Sequence, residues 1–257
     1  MPTPRPWTLP TQPVTRALLL ASGITDAMIR TQLASGRLVA VRYGVFVSAD
    51  AWPVDPRAQH LVRARAEVVA NPGSVISHES AAVVWGLPSP GFAPWHESHV
   101  SITLASGAHG SRRSSVGQHV AELPTTTVAR DPDGYPVTSV ARTAVDLSAG
   151  RSLPEALVML DAAGRQLIES YSARSRREDY VNPRYLRSVR EALADQVGRR
   201  WRSQLLDAIT KVEPCRESAA ESLTAGYLHL SGLPMPQFQA RIVTARARST
   251  PTATGRS

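Results

Sequence analysis

The stretch that decides the N-terminal fold is residues 23–47, GITDAMIRTQLASGRLVAVRYGVFV. Thr25 is a natural N-cap, and Asp26 lies in the first helical turn, where its charge complements the helix dipole. Apolar residues recur at helical spacing as far as Leu33, and Gly36 is a typical helix terminator. This pattern predicts a short amphipathic helix that begins at residue 26.

A two-stranded wing is predicted directly after this helix. Residues 38–47 are rich in β-branched strand formers, and Arg42-Tyr43-Gly44 forms the turn between two strands. A preceding short helix is predicted over residues 14–22, with Gly23 at its end. Helix, turn, helix and basic hairpin together indicate a winged helix-turn-helix, whose second helix fits the DNA major groove. A small packing module with merely solvated arginines is the alternative interpretation.

The candidate DNA-contacting residues are polar side chains of the second helix and the wing. Those of the helix would face base edges in the major groove, and the wing arginines would hold phosphates and so fix the register. The predicted set is Thr25, Asp26, Arg30, Thr31, Arg37, Arg42 and Tyr43.

Composition is consistent with a globular protein that has a polyanionic partner. Among 257 residues, 42% are hydrophobic and the net charge is +8. Lys211 is the only lysine among 29 basic residues, and arginine offers phosphate a planar fork of donors. A GC-rich genome is an alternative explanation for the excess of arginine over lysine. The excess of base over acid still favours a polyanion such as DNA.

Cysteine usage and hydropathy restrict the compartment. Cys215 is the single cysteine, which excludes an internal disulfide and a multi-cysteine metal site. The longest early apolar run, residues 17–21, is too short for a signal peptide or a membrane span. We therefore expect a cytoplasmic protein with no membrane partner, no metal and no cofactor.

Residues 77–79, Ser-His-Glu, resemble the members of a catalytic triad only in composition. Adjacent residues cannot align as nucleophile, base and orienting acid, because triad members meet from separated segments. Ser77 is better explained as the cap of a helix that ends at Gly86. Arg142 and Asp146 are four residues apart on another predicted helix and are expected to form an intrahelical ion pair.

The quoted N-terminal stretch resembles the antitoxin domain of AbiEi-type proteins, the antitoxins of type IV toxin–antitoxin systems. The resemblance implies a winged helix that binds operator DNA and represses its own operon, with any cognate toxin connected only through that operon. Residues 77–88 (SHESAAVVWGLP) and 137–147 (VTSVARTAVDL) extend it into the middle of the chain. The matching N-terminal positions are Gly23, Ile24, Thr25, Ile29, Leu33, Gly36, Leu38, Val41, Gly44 and Val45, with Phe46 where tyrosine is usual.

The C-terminal residues 217–243 (ESAAESLTAGYLHLSGLPMPQFQARIV) resemble the first helix and strand of very-short-patch-repair-like nuclease domains of the PD-(D/E)xK superfamily. Glu221 falls on the helical glutamate of that family. The family then continues with acidic strands that hold a divalent metal, whereas this chain has no Asp or Glu after Glu221. One glutamate cannot assemble a magnesium site, so Glu221 is a family marker and nuclease catalysis is not expected.

The helix within this C-terminal stretch is predicted over residues 216–231. Its predicted buried positions recur at helical spacing and are Ala220, Leu223, Tyr227 and Leu230. Without the nuclease sheet, we expect part of this apolar surface to be exposed, which would cause instability or require a partner. The last fourteen residues, TARARSTPTATGRS, are explained either by a reading-frame change or by a natural basic tail.

The predicted fold class is therefore α+β, with an incomplete nuclease-like start at the C-terminus. The predicted function is a non-catalytic, antitoxin-like transcriptional regulator. A degenerate metal-dependent DNA endonuclease is the alternative, and a remnant without activity is a third possibility. The predicted organisation is a flexible arm (1–13), a winged helix-turn-helix (14–52), an α/β middle domain (53–150), a helical segment (151–212), a truncated nuclease-like helix and strand (213–243) and a disordered tail (244–257).

Overall fold

The structure of the protein is a computed structural model. It describes residues 7–91, 93–105, 116–172, 174–236 and 238. These residues contain helices and two separate sheets, which confirms the predicted α+β class.

A three-stranded antiparallel sheet and two short helices form the N-terminal part. The strands lie in the order β1-β3-β2, so the hairpin gains a third strand from the segment before the first helix. The predicted helix over residues 14–22 begins two residues later, because Val14 pairs with Phe46 and Thr15 caps the helix. The elements are β1 (Val14–Thr15), α1 (Arg16–Ala21), α2 (Asp26–Ala34), β2 (Leu38–Arg42) and β3 (Val45–Ser48).

Residues 7–13, predicted as part of a flexible arm, pack against this unit. Trp7 and Leu9 contact a small core that includes Ile29 and Phe46. The backbone N–H of Ser48 donates to the carbonyl of Pro10 at 2.7 Å. The sequence prediction missed this packing because the five prolines of residues 1–13 leave no periodic pattern.

A five-stranded mixed sheet forms the middle part, with the strand order β6-β5-β4-β8-β7. Helix α3 packs on one face through Ala64 and Val68, opposite Ile102 of the sheet. Strands β4 and β8 are parallel neighbours, and each leads directly into a helix at the same edge. The elements are α3 (Pro56–Ala70), β4 (Val75–Ile76), α4 (His78–Trp85), β5 (Val100–Ala105), β6 (Val116–Ala121), β7 (Val128–Arg130), β8 (Pro136–Thr138) and α5 (Val140–Ser148).

The helical segment is built around α6, whose Leu157, Met159 and Leu160 are fully buried. Ser152 and Glu155 form a capping box at its start. Helices α7, α8 and α9 pack around it and share the largest apolar core of the described residues. The elements are α6 (Leu153–Tyr171), α7 (Pro183–Ala194), α8 (Arg202–Thr210) and α9 (Ala219–Leu230).

The prediction of which face of α9 is buried is wrong. The helix buries Ser222, Ala225 and Gly226, whereas Tyr227 and Leu230 are 60% and 63% exposed. Small residues allow α9 to lie very close to α6, and this close approach leaves Tyr227 and Leu230 facing outward. The exposed apolar surface expected for this helix is therefore present, but it lies on the face that the periodicity assigned to the interior.

The helical spacing of Trp201, Leu205 and Ile209 predicts that they share the inward face of α8, and for Trp201 this prediction is wrong. The residue precedes the helix, has a φ of +61° and is 46% exposed. A left-handed backbone cannot continue an α-helix, so α8 begins only at the next residue.

Two C-terminal predictions lie outside the described residues. Most of the strand predicted after α9 and the whole tail at 244–257 belong to this part of the chain. Among the described helices, none combines the length and apolar character needed to cross a membrane.

Candidate nucleic-acid interface

Helix α2 is held in a defined orientation by its cap and its core contact. The hydroxyl of Thr25 accepts a hydrogen bond from the backbone N–H of Met28 at 3.3 Å, which confirms the predicted cap. Ile29 is buried and fixes the rotation of the helix about its axis. Arg30 and Thr31 are consequently exposed, although the Thr31 hydroxyl also donates to the carbonyl of Ala27 at 2.9 Å.

Asp26 forms a bidentate salt bridge with Arg16. The Arg16 Nε donates to Asp26 Oδ1 at 2.8 Å, and Nη2 contacts Oδ2. Both side chains are about half exposed, so the pair connects α1 to α2 at the surface. Arg16 offsets the negative charge of Asp26 at this surface. Sequence reasoning missed Arg16, because its partner is ten residues away on the next helix.

Arg42 is not available as a phosphate contact in this structure. Its Nη1 lies 2.6 Å from Glu67 Oε2, and the two side chains are only 14% and 8% exposed. The pair ties the end of β2 to α3, which gives Arg42 a structural role in place of the predicted one. Glu67 lies 25 residues further along the chain, and no local pattern indicates this contact.

Arg37 and Tyr43 lie at the surface of the wing, as predicted. The backbone of Arg37 is fixed because its N–H donates to Gln32 and its carbonyl accepts from Ala49, while its side chain is exposed. Tyr43 is 90% exposed at the hairpin tip. The tip requires Gly44, whose φ of +75° suits glycine.

The structure therefore divides the predicted DNA-contacting residues into four groups. Arg30, Arg37 and Tyr43 are exposed, and none of them has a salt bridge within the residues that the structure describes. Thr25 and Asp26 are exposed but are engaged in capping and in the Arg16 pair. Thr31 is exposed with its hydroxyl bonded to the backbone, and Arg42 is mostly buried in the Glu67 pair.

A second polar cluster lies where β4 and β8 end. His78 stacks on His119 with ring centroids 3.4 Å apart, and Glu79 accepts a hydrogen bond from the Ser101 hydroxyl at 2.7 Å. The hydroxyl of Ser77 makes no capping hydrogen bond, contrary to prediction, and lies 3.1 Å from His78 Nδ1. A triad geometry is not formed, because the Ser101 hydroxyl and not an imidazole contacts Glu79.

The two motifs of the middle region meet at this cluster. Arg142 and Asp146 form the predicted i,i+4 pair at 2.8 Å and lie on α5 near His78. Burial lowers the pKa of His78 to about 4, with Glu79 opposing this shift and Arg142 adding to it. Within the described ranges, no set of three or more His, Cys, Asp or Glu residues is placed to hold a metal ion.

The depressed pKa of His78 predicts a pH dependence of stability. His78 takes up a proton near pH 6.5 in the unfolded chain but only near pH 4 in the folded chain. The neutral His78 therefore contributes its full share to the stability of the fold above pH 6.5, and this share is lost as the pH falls to 4. We expect His78→Asn to reduce the change in unfolding free energy across this window, by about 3 kcal/mol at most. Urea titrations at several pH values measure it.

His99→Asn is the matched control, since His99 is exposed. Its pH profile should follow that of the wild type. Equal profiles for the wild type and for His78→Asn would contradict the assignment of this titration to His78.

Glu221 acts as a capping residue of α9. Its Oε2 accepts hydrogen bonds from the backbone N–H groups of Glu217 at 2.6 Å and Ser218 at 3.3 Å, and the Ser218 hydroxyl accepts from the Glu221 N–H at 3.2 Å. This reciprocal arrangement is a capping box. The sequence contained the signal, a serine followed three residues later by a glutamate, but the prediction for Glu221 came from a family resemblance.

Comparisons with known proteins do not establish a family for this chain. No protein-family model matches the sequence, and the search of curated proteins found no match. Among solved structures, the chain is similar to the RV2827C protein from Mycobacterium tuberculosis, with 18% identity and a TM-score of 0.40. The similarity covers 83% of this chain and 76% of the other, and at this level it carries no argument about function.

Proposed function

We propose that this protein is a DNA-binding transcriptional regulator of the antitoxin type, which acts in the cytoplasm without catalysis and represses its own operon. The observation that carries the proposal is the exposure of Arg30 on α2 together with Arg37 and Tyr43 on the adjacent wing. These side chains project from a unit whose other side packs into a small core that includes Ile29 and Phe46. A net charge of +8 adds a general attraction to polyanions.

The proposed binding mode places α2 in the major groove of duplex DNA. Arg30 would read a base edge, and its guanidinium suits the two acceptors of guanine. Arg37 would contact a phosphate, while Tyr43 would lie against the backbone or the minor groove beside it. The Arg16–Asp26 pair would keep α1 and α2 in the angle that the groove requires. Any toxin would be coupled to this protein through the operon and not through this surface.

We expect Arg30→Ala to weaken binding to the DNA upstream of the protein's own gene about tenfold or more, because one base contact is lost. Arg37→Ala should weaken binding to all duplexes and reduce the slope of log affinity against log salt by about 1. Mobility-shift titrations at several salt concentrations measure both effects. Arg42→Ala is unsuitable for this test, because it leaves Glu67 without its guanidinium partner and so destabilises the wing.

Arg176→Ala/Arg177→Ala is the matched control, since both arginines are exposed and lie far along the chain between α6 and α7. This variant should bind upstream DNA as the wild type does. Absence of any shift at low salt, or an equal loss in the control, would refute the proposed interface. Magnesium-dependent nicking that Glu221→Ala abolishes would instead contradict a non-catalytic regulator and would support an active endonuclease.

A further inference from the structure

Four consecutive residues at the start of α8 form a second basic surface, which we call the Trp201 patch. It consists of Arg199, Arg200, Trp201 and Arg202, all of them exposed. In the described part of the chain, no carboxylate lies within salt-bridge distance of these three arginines. Arg202 donates to the Val197 carbonyl at 3.2 Å, and the Arg200 guanidinium lies 5.6 Å from the centre of the indole. The positive charge of the patch is therefore presented to solvent.

The backbone of Trp201 is held in an unusual conformation. Its φ of +61° lies in the left-handed region, which bulky residues rarely adopt because it is sterically strained. The indole lies against Gly150, where an added Cβ would come within 3.2 Å of the ring. The rest of the side chain faces solvent, since Trp201 is 46% exposed. The fold thus supports an aromatic ring at the surface and fixes its position.

Trp201 also departs from the usual start of a helix. It occupies the N-cap position of α8 and supplies no side-chain acceptor to the first turn, where Ser, Thr, Asp or Asn is preferred. Two local preferences are therefore broken at one residue, and such conflicts are expected where a side chain is retained for function. The ring borders an open depression of about 920 Å³. The residues that line this depression are Arg199, Trp201, Arg202, Ser203, Gln204, Leu206 and Asp207.

We propose that the Trp201 patch binds single-stranded nucleic acid, at a site separate from the winged helix. A base would stack on the exposed part of the Trp201 ring, and the adjacent phosphates would contact Arg199, Arg200 and Arg202. Stacking on an aromatic side chain inside a positively charged groove is how single strands are bound without sequence preference. A duplex does not offer the face of a base to the indole. The ring is already held by Gly150, so stacking costs little side-chain entropy.

The surface fits a nucleic acid better than an anionic membrane. A membrane-binding site needs apolar side chains that project into the lipid, usually several on one face. Here a single aromatic ring borders a depression that also contains Ser203, Gln204 and Asp207. Polar groups in a concave surface suit the edges of bases and sugars.

The test is fluorescence anisotropy of the full chain with labelled twelve-residue oligomers of deoxythymidine and of uridine, at several salt concentrations. We expect Trp201→Ala to weaken binding about tenfold, and Trp201→Phe to restore part of the loss. Arg199→Gln/Arg200→Gln should weaken binding and lower the salt slope by about 1.4. Circular dichroism melting checks the fold, and the arginine variant carries the test if Trp201→Ala does not fold.

Two matched controls distinguish binding at the Trp201 patch from a general attraction between positive charge and the oligomer. Trp52 is a partly exposed tryptophan with the Arg63 guanidinium 5.3 Å from its ring centre, so Trp52→Ala should leave single-strand binding unchanged. Arg176→Gln/Arg177→Gln removes the same charge elsewhere and should have little effect. Equal losses in these controls, or no single-strand binding by the wild type at low salt, would overturn the proposal. So would Trp201-dependent binding to phosphatidylserine vesicles without binding to either oligomer.

The two proposed nucleic-acid binding sites can be tested independently of each other. Arg30→Ala/Arg37→Ala should reduce duplex binding and leave single-strand binding intact, and Trp201→Ala should do the reverse. Loss of both activities in either variant would contradict separate sites.

Discussion

Asp161→Ala is expected to lower the free energy of unfolding by about 3–5 kcal/mol, because it leaves the Arg216 guanidinium buried without its main partner. Both side chains are almost completely buried, and Asp161 Oδ2 lies 3.0 Å from Arg216 Nη1. The same oxygen accepts from the Ser222 hydroxyl at 2.7 Å, and Oδ1 accepts from the backbone N–H of Glu213 at 2.8 Å. One carboxylate thus connects α6 to α9 and to the segment that precedes α9.

Burial of the Asp161 carboxylate costs free energy, as the shift in its pKa shows. Burial raises the pKa of Asp161 to about 6, although Arg216 and the hydrogen bonds from Glu213 and Ser222 oppose the shift. Burial therefore makes the ionised carboxylate less favourable than it is in water, and the ion pair recovers only part of that cost. Removing one partner is consequently far more damaging than removing both. The double variant Asp161→Leu/Arg216→Met should regain much of the stability that Asp161→Ala loses.

Urea denaturation followed by circular dichroism measures these differences. Asp207→Ala is the control, because Asp207 pairs with Lys211 but is 65% exposed, and such pairs contribute at most about 1 kcal/mol. A loss below about 1 kcal/mol for Asp161→Ala would show that the buried pair does not hold α9 in place.

Gly226→Ala is expected to destabilise the protein by about 3 kcal/mol, the upper part of the usual range for overpacking. A Cβ at this position would lie 2.3 Å from Pro154 Cα, so a backbone atom at the start of α6 would have to move. The contact cannot be relieved by rotation of a side chain. Alanine favours a helix over glycine by about 1 kcal/mol, and the measured loss is expected to remain in spite of this gain.

Gly198→Ala is the matched control for this substitution. Nothing lies within 4 Å of a Cβ added at Gly198, and its φ is not positive, so the change should stay within about 1 kcal/mol of neutral. Denaturant unfolding of both variants measures the contrast. Equal stability of Gly226→Ala and the wild type would mean that α9 can move away from α6 at little cost. The same result would remove the explanation for the outward direction of Tyr227 and Leu230.

The exposed part of the proposed DNA interface could be predicted from sequence because it depends on local patterns. The Thr25 cap, the buried Ile29 and the turn at Gly44 determine which way Arg30 and Tyr43 point. The prediction for Arg42 failed for a different reason. A wing arginine and a structural arginine look alike in sequence, and only the position of Glu67 on α3 distinguishes them.

The C-terminal helix shows the limit of periodicity most clearly. Apolar spacing identified a helix and a buried stripe that includes Tyr227 and Leu230, but hydrophobicity alone does not measure how closely two helices approach. Gly226 permits a contact with Pro154 that any larger residue would prevent. Ser222, Ala225 and Gly226 are therefore buried, whereas Tyr227 and Leu230 are exposed. The left-handed backbone of Trp201 could likewise not be predicted, because the arginines that precede it continue a helical pattern.

The sequence by itself determined the elements whose causes lie within a few residues: α2 with its Thr25 cap, the wing with its Gly44 turn, and the long helix α6 with its capping box. Hydrogen bonds and periodic burial over one or two turns are sufficient to specify them. Only the tertiary structure decided the partners of Arg42 and Asp161, the buried face of α9 and the exposure of Trp201. These depend on atoms brought together from distant parts of the chain, and their burial and close packing are properties of the assembled fold.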